Sequence, residues 1–86
     1  MSPLQSDLQE VFRRVFDDDE LVILDATSAA DIDGWDSMAH INLIIAIEKR
    51  FGVKFSAAEI GALGRRGQNV GNMLELLESK TRRAAQ

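Results

Sequence analysis

The stretch that decides the fold runs from Asp36 to Phe55 and reads DSMAHINLIIAIEKRFGVKF. Its apolar residues recur every three or four positions, which is the spacing of an amphipathic α-helix. Asp36 suits the N-cap, because its carboxylate can accept a hydrogen bond from a first-turn backbone N–H. Gly52 suits the far end, where chains often turn left-handed. The pattern predicts a helix over residues 37–51.

This predicted helix carries two apolar faces. At 100° per residue, one quadrant holds the expected core residues, which are His40, Leu43, Ile44, Ile47 and Phe51. Met38, Ile41 and Ile45 fall together on the opposite side. Glu48 borders this second face. Two interpretations of it stay open: it packs beneath the loop of residues 17–36, or it is an exposed docking patch rimmed by charge.

Segments on either side of this stretch add three more helices. Helical spacing of apolar residues predicts one helix over residues 3–16 and another over residues 70–80. A short helix is predicted over residues 57–63, with Ser56 as its N-cap. The sequence therefore predicts an all-α fold: a small four-helix bundle with three long helices, one short third helix and a long first loop.

The predicted loop over residues 17–36 contains one apolar run, Leu21-Val22-Ile23-Leu24. This run is too short to support a sheet, so we expect it to fold over the core as a plug. A single stray strand is the alternative. At the other end of the chain, the basic stretch of residues 80–83 is expected to fray into solvent.

Composition restricts the classes of function. The chain has 86 residues, of which 45% are hydrophobic and 28% charged, so residues 1–86 are predicted to form a single globular domain. It contains no cysteine, which excludes disulfides, thiolate metal sites and cysteine nucleophiles and fits a reducing cytoplasm. No segment approaches the roughly 20 apolar residues that span a bilayer. No feature indicates an oligomer, so a monomer is expected.

Charge is distributed unevenly along the chain. Residues 1–36 hold ten acidic and two basic side chains, a net charge of −8, whereas residues 37–86 hold four acidic and eight basic ones, a net charge of +4. The overall charge of −4 disfavours binding to nucleic acid. The acidic half is expected to favour basic partner surfaces.

Ser37 is the candidate functional residue in the string Gly34-Trp35-Asp36-Ser37-Met38, and the alternative is that an Asp-Ser pair at a helix start serves only as a cap. Ser37 begins the predicted second helix, where unpaired N–H groups and the helix dipole would stabilise a phosphodiester on its hydroxyl. His40 lies one turn later, so a Ser–His dyad is conceivable. No third residue is evident to orient the imidazole, and His40 falls on the core face, so a packed imidazole is predicted instead. No catalytic residue and no metal site are predicted.

The order of residues from Asp36 to Phe55 resembles the signature of the acyl carrier protein family, in which Asp-Ser-Leu opens the second helix and Phe-Gly-Val or Phe-Gly-Ile follows it. The resemblance extends over nearly the whole chain, from the acidic first loop to Val70. It implies that a phosphopantetheinyl transferase attaches 4′-phosphopantetheine to Ser37, beside its conventional neighbour Asp36. The sulfur that carries acyl groups would then belong to the cofactor.

The resemblance also implies partners. Met38, Ile41 and Ile45 match positions where carriers present apolar contacts to enzymes, and Glu48 matches an acidic contact position. The expected partners are an acyl-loading ligase or transferase and synthase-type enzymes of fatty acid, other lipid or polyketide biosynthesis. The chain itself would be a non-catalytic carrier.

Several residues depart from the pattern of carriers in fatty-acid synthesis. Met38 replaces the usual Leu, Ala39 and Asn42 stand where acids are common, and Lys49 and Arg50 place positive charge where acids often lie. These departures favour a specialised pathway with dedicated partners. Two alternatives stay open: an aminoacyl or peptidyl carrier of the same fold, and a cofactor-free helical interaction module.

Overall fold

The computed structural model describes residues 3–64 and 68–84, with side chains as far as residue 82. Four α-helices follow one another: α1 (Pro3–Val15), α2 (Ser37–Phe51), α3 (Ala57–Leu63) and α4 (Val70–Ala84), with a short 3₁₀ turn at Ala29–Asp31 in the first loop. The described residues contain no β-strand, so the stray-strand alternative is wrong. The all-α class and the bounds of α2 and α3 are confirmed.

One cluster of buried apolar side chains joins the three long helices to the connecting segments. It consists of Leu8, Val11, Phe12, Ile23, Ile32, Leu43, Ile44, Ile47, Val53, Phe55, Val70, Met73 and Leu77. The short helix α3 contributes Ile60 and Leu63, which are partly buried against this core. Among the described helices, none combines the length and the apolar character that crossing a membrane would require.

Side-chain caps fix where the helices begin. The carboxylate of Asp36 accepts a hydrogen bond from the Ala39 backbone N–H at 2.8 Å, as predicted for α2. Ser56 caps α3 by accepting from the Glu59 N–H at 3.1 Å. At the far end of α2, Gly52 adopts a left-handed φ of 68°, and its N–H donates to the Glu48 carbonyl. These caps explain why the bounds of α2 and α3 could be predicted.

The end of α1 lies one residue earlier than predicted. Asp17 has a left-handed φ of 51°. Its N–H donates to the carbonyl of Arg14, and the N–H of Asp18 donates to that of Arg13. This pair of bonds is a Schellman motif, which normally uses glycine at the left-handed position. Aspartate tolerates that conformation better than most residues, so the helix ends at Val15 without a glycine to signal it.

The apolar run of the first loop is only partly a plug. Ile23 is fully buried, but Val22 and Leu24 are 55% and 60% exposed, so this part of the prediction was wrong. Polar side chains of α1 hold the run instead: Gln9 accepts from the Ile23 N–H at 3.1 Å, and Arg13 Nε donates to the Leu21 carbonyl at 2.7 Å. Only alternate residues can therefore face the core.

Helix α4 continues to Ala84, beyond the predicted end at residue 80. The expected fraying of the basic stretch was wrong. Lys80 lies above the ring of Phe55, 5.2 Å from its centroid, and pairs with Glu59 Oε1 at 2.8 Å. These contacts hold α4 at Lys80 against Phe55 and Glu59, and spacing in the sequence could not reveal them.

Candidate functional site

Ser37 is the first residue of α2 and is exposed. The chain turns into this helix through Gly34, whose φ of 86° is easily adopted only by glycine. The carboxylate of Asp36 accepts from the N–H of Ala39, whereas the N–H groups of Ser37 and Met38 lie too early in the helix to have a carbonyl partner within it. The hydroxyl of Ser37 therefore lies at the positive end of the helix dipole, in reach of solvent.

His40 is buried, with 8% of its surface exposed, and both of its ring nitrogens are engaged. The indole Nε1 of Trp35 lies 3.2 Å from Nδ1, and the carbonyl of Ile60 lies 2.9 Å from Nε2. Because indole can only donate and a carbonyl can only accept, Nδ1 accepts and Nε2 donates. The imidazole is neutral, with its proton on Nε2, and has no free nitrogen for the hydroxyl of Ser37. The predicted packed imidazole is confirmed.

Trp35, two residues before Ser37, packs against aromatic side chains of α1. Its indole packs edge-on against Phe12, with ring centroids 5.4 Å apart and an angle of 79° between the planes. It also lies 5.9 Å from the ring of Phe16. This aromatic group anchors the end of the first loop to α1, so the start of α2 is held by the core.

A cavity of about 620 Å³ opens beside Ser37, between α2, α3, the first loop and the start of α4. Ser37, Trp35, His40, Ile41, Ile60, Leu63 and Met73 are among its lining residues. Gly64 also lines it and packs closely: a Cβ there would lie 3.3 Å from Nε2 of His40. The serine thus stands at the edge of a largely apolar space.

The second face of α2 is exposed. Met38, Ile41 and Ile45 are 76%, 52% and 43% exposed, so the first loop leaves much of this face open. The interpretation in which this face packs beneath the loop is therefore wrong for most of the face, but Ile41 also lines the cavity that residues 28–30 of the loop border. We call Met38, Ile41 and Ile45 the apolar patch. It begins one residue after Ser37 and continues along two turns of the helix.

Glu48, at the edge of the apolar patch, has a structural role that its position in the sequence did not reveal. Its Oε2 accepts a hydrogen bond from the backbone N–H of Phe55 at 2.7 Å. The side chain is partly buried. Glu48 therefore ties the segment after α2 back to the helix, and part of its hydrogen-bonding capacity is used inside the protein.

An ion pair fixes α3, which forms one wall of the cavity. Glu59 pairs with Lys80 of α4 at 2.8 Å, and its carboxylate also accepts from the Ser56 N–H. The hydrogen bond from Lys80, followed by that from Ser56, lowers the pKa of Glu59 below its ordinary value. The Nε2 of His40 holds the next residue, Ile60. Adjacent residues of α3 are thus fastened to α4 and to α2.

Sequence reasoning missed the link between Trp35 and His40. The five-residue separation crosses the start of α2, so helical periodicity does not predict the contact. It also missed the close approach of Gly64 to His40. The chain has one tryptophan and one histidine, and both lie close to Ser37 in the sequence. Their residue types alone do not predict that they bind each other.

The bundle presents an exposed serine at the start of α2 and, one turn later, a histidine whose two ring nitrogens are both engaged. No protein-family model matches the chain, and no curated protein matches it either. A solution NMR structure of a holo acyl carrier protein from Geobacter metallireducens does match. It is 40% identical, covers 98% of this chain and 92% of its own, and superposes with a TM-score of 0.85. The chain belongs to the acyl carrier protein family.

Proposed function

We propose that this chain is an acyl carrier protein whose single domain, residues 1–86, holds acyl groups on a 4′-phosphopantetheine arm attached to Ser37. The observation that carries the proposal is the exposed serine that opens α2 directly after its Asp36 cap, in a chain 40% identical to a holo acyl carrier protein. When bound, the arm supplies a thiol that holds acyl groups as thioesters.

The residues around Ser37 suit such a group. The hydroxyl is exposed, so a transferase can reach it. The first-turn N–H groups of α2 favour the negative charge of a phosphodiester. The carboxylate of Asp36 accepts a hydrogen bond from the Ala39 N–H, so the negative charge of Asp36 is engaged with the helix backbone. The chain contains no cysteine, so a thioester on this protein requires sulfur from a cofactor.

The cavity beside Ser37 gives a cargo somewhere to lie. Its volume of about 620 Å³ is in the range of small-molecule sites, and Ile41, Ile60, Leu63 and Met73 supply apolar surface. These side chains favour an acyl chain over a strongly polar aminoacyl group. We therefore propose an acyl carrier rather than an aminoacyl or peptidyl carrier.

The chemistry of loading and transfer is assigned to partner enzymes. Both ring nitrogens of His40 are engaged, so it cannot serve as a base for Ser37 without breaking a buried contact. The partners proposed are a phosphopantetheinyl transferase, an acyl-loading ligase or transferase, and synthase-type enzymes. The lack of a carboxylate at Ala39 and Asn42 favours a specialised lipid or polyketide-type pathway over general fatty-acid synthesis. The carrier is proposed to act as a monomer in the cytoplasm.

The apolar patch is the proposed docking surface for these enzymes. Exposed apolar groups next to an attachment point indicate a binding surface rather than a solvated one. Met38 lies beside Ser37, and Ile41 and Ile45 extend the surface along the helix. Glu48 is proposed as an acidic contact through the part of its carboxylate that Phe55 does not use.

Labelling with fluorescent coenzyme A tests the attachment. Wild-type protein and Ser37→Ala are incubated with a broad-specificity transferase and Mg²⁺ and separated by denaturing electrophoresis. The proposal expects a fluorescent band from the wild type alone. A labelled Ser37→Ala band would place the attachment elsewhere, and a matched Ser28→Ala variant, changed in the first loop, should still be labelled.

A further inference from the structure

The C-terminal end of α2 carries positive charge on its surface. The one carboxylate within α2 belongs to Glu48, and it accepts from the Phe55 N–H. The exposed residues that follow the apolar patch are Lys49 and Arg50. A basic partner surface that approached this end would meet positive charge.

Two of the nearby cations are unpaired within the part of the chain that the structure describes. Arg50 is compensated, since its guanidinium lies 2.9 Å from Asp7 and 3.4 Å from Glu10. Lys49 and Arg14 are exposed, and neither forms an ion pair with another described residue. Their positive charge is therefore available to a binding partner.

These two cations line one groove between α1 and α2. The groove has a volume of about 340 Å³, and its walls are Glu10, Val11, Arg14, Ala46, Lys49 and Arg50. Lys49 is one helical turn beyond Ile45, so the groove continues directly from the apolar patch. It has an apolar floor of Val11 and Ala46 and an excess of positive charge at its rim.

The opposite end of α2 has the opposite charge. Asp36 directly precedes Ser37, Asp33 and Asp31 come a few residues earlier in the first loop, and all three are exposed. A rise of 1.5 Å per residue places Asp36 and Lys49 about 20 Å apart along α2. The two ends of this surface therefore carry opposite charge: the end near Ser37 is negative and the end at the groove is positive.

We propose that the groove between α1 and α2 belongs to the docking surface and receives carboxylates of a partner enzyme. This inference rests on the proposed carrier function and adds to it the character of the partner. Such an enzyme presents an apolar contact to the apolar patch, acidic side chains to Lys49 and Arg14, and basic side chains near Ser37. Because the two charges lie at opposite ends, a partner bound in the reverse direction meets like charge at both.

A charge-reversal experiment tests the groove. The probe is a phosphopantetheinyl transferase chosen because its carrier-contacting surface is basic, and the readout is kcat/KM for loading at low and high salt. Lys49→Glu should raise kcat/KM by about three- to tenfold at low salt, since rim charges act mainly on the rate of association. High salt should remove the gain. Arg82→Glu changes net charge equally but does not line the groove, and should alter kcat/KM by less than about twofold.

The reciprocal change gives the direct test for an acidic partner. A transferase variant with glutamate in place of the cation that faces Lys49 should load the wild type faster than its parent does. It should lose this advantage on Lys49→Glu. If loading occurs but both Lys49→Glu and Arg82→Glu change it equally, the groove is not part of the docking surface. If no folded protein is loaded at all, the carrier function fails and the inference fails with it.

Discussion

The indole Nε1 of Trp35 donates a hydrogen bond to Nδ1 of His40 at 3.2 Å, and Nε2 of His40 donates to the carbonyl of Ile60 at 2.9 Å. One side chain thus joins the end of the first loop, α2 and α3 around the cavity beside Ser37. Its two bonds require the neutral tautomer with the proton on Nε2.

This arrangement predicts the tautomer and the stability of a His40 variant. Two-dimensional ¹H–¹⁵N spectra of the ring at neutral pH should show the Nε2–H form. His40→Leu keeps the apolar volume but leaves the Trp35 N–H and the Ile60 carbonyl without their partner, which should cost about 2 kcal/mol of unfolding free energy. Urea unfolding measures this loss. An Nδ1–H tautomer, or a His40→Leu variant as stable as the wild type, would contradict the arrangement.

Two glycines near the cavity provide a matched pair of substitutions. A Cβ at Gly64 would lie 3.3 Å from Nε2 of His40, whereas a Cβ at Gly61 meets nothing within 4 Å. Gly61→Ala removes a flexible residue from the interior of α3 and should stabilise the protein by about 0.5–1 kcal/mol. Gly64→Ala should give no such gain, because the imidazole must move. Thermal unfolding compares the two, and an equal gain at both sites would contradict the close contact.

The ion pair between Glu59 and Lys80 predicts a dependence of stability on pH. The hydrogen bond from Lys80 lowers the pKa of Glu59, so the folded state favours the charged carboxylate. Its stabilisation is therefore fully present above the ordinary pKa of about 4.3 and is lost as the pH falls through the lower folded value. Glu59→Gln can still accept from the Ser56 N–H but cannot form the ion pair.

The measurement is urea unfolding of wild type and Glu59→Gln at neutral and acidic pH. The wild type should be the more stable at pH 7, and the difference should shrink at acidic pH. Glu75→Gln serves as the control, since Glu75 is exposed on α4 and forms no ion pair with any described residue. If the difference in unfolding free energy grew on acidification, the ion pair would not be the source of the extra stability of the wild type.

The sequence predicted the fold where local signals decide it. Asp36, Ser56 and Gly52 fixed the bounds of α2 and α3, because capping depends on residues within one turn. The contacts of Lys80 with Glu59 and Phe55 could not be predicted, because these residues are distant from it in sequence.

The structure around Ser37 likewise divides into features that follow from neighbours in sequence and features that follow from tertiary packing. The position of Ser37 at the start of α2 follows from the local pattern. The exposure of the apolar patch depends on where the first loop packs, and Gln9 and Arg13 of α1 hold only residues 21–23 of that loop. The internal bond of Glu48 to Phe55 and the groove between α1 and α2 arise from tertiary packing alone.

The most direct test of the central claim is the intact mass of the folded protein after incubation with coenzyme A, Mg²⁺ and a phosphopantetheinyl transferase, with fragmentation to locate the added group. The account predicts a gain of one phosphopantetheine, located on Ser37. Ser37→Ala should show no gain while keeping the helical circular dichroism of the wild type, because the hydroxyl is exposed and the cap of α2 belongs to Asp36. Folded wild type that gains no mass with several such transferases would contradict the carrier function.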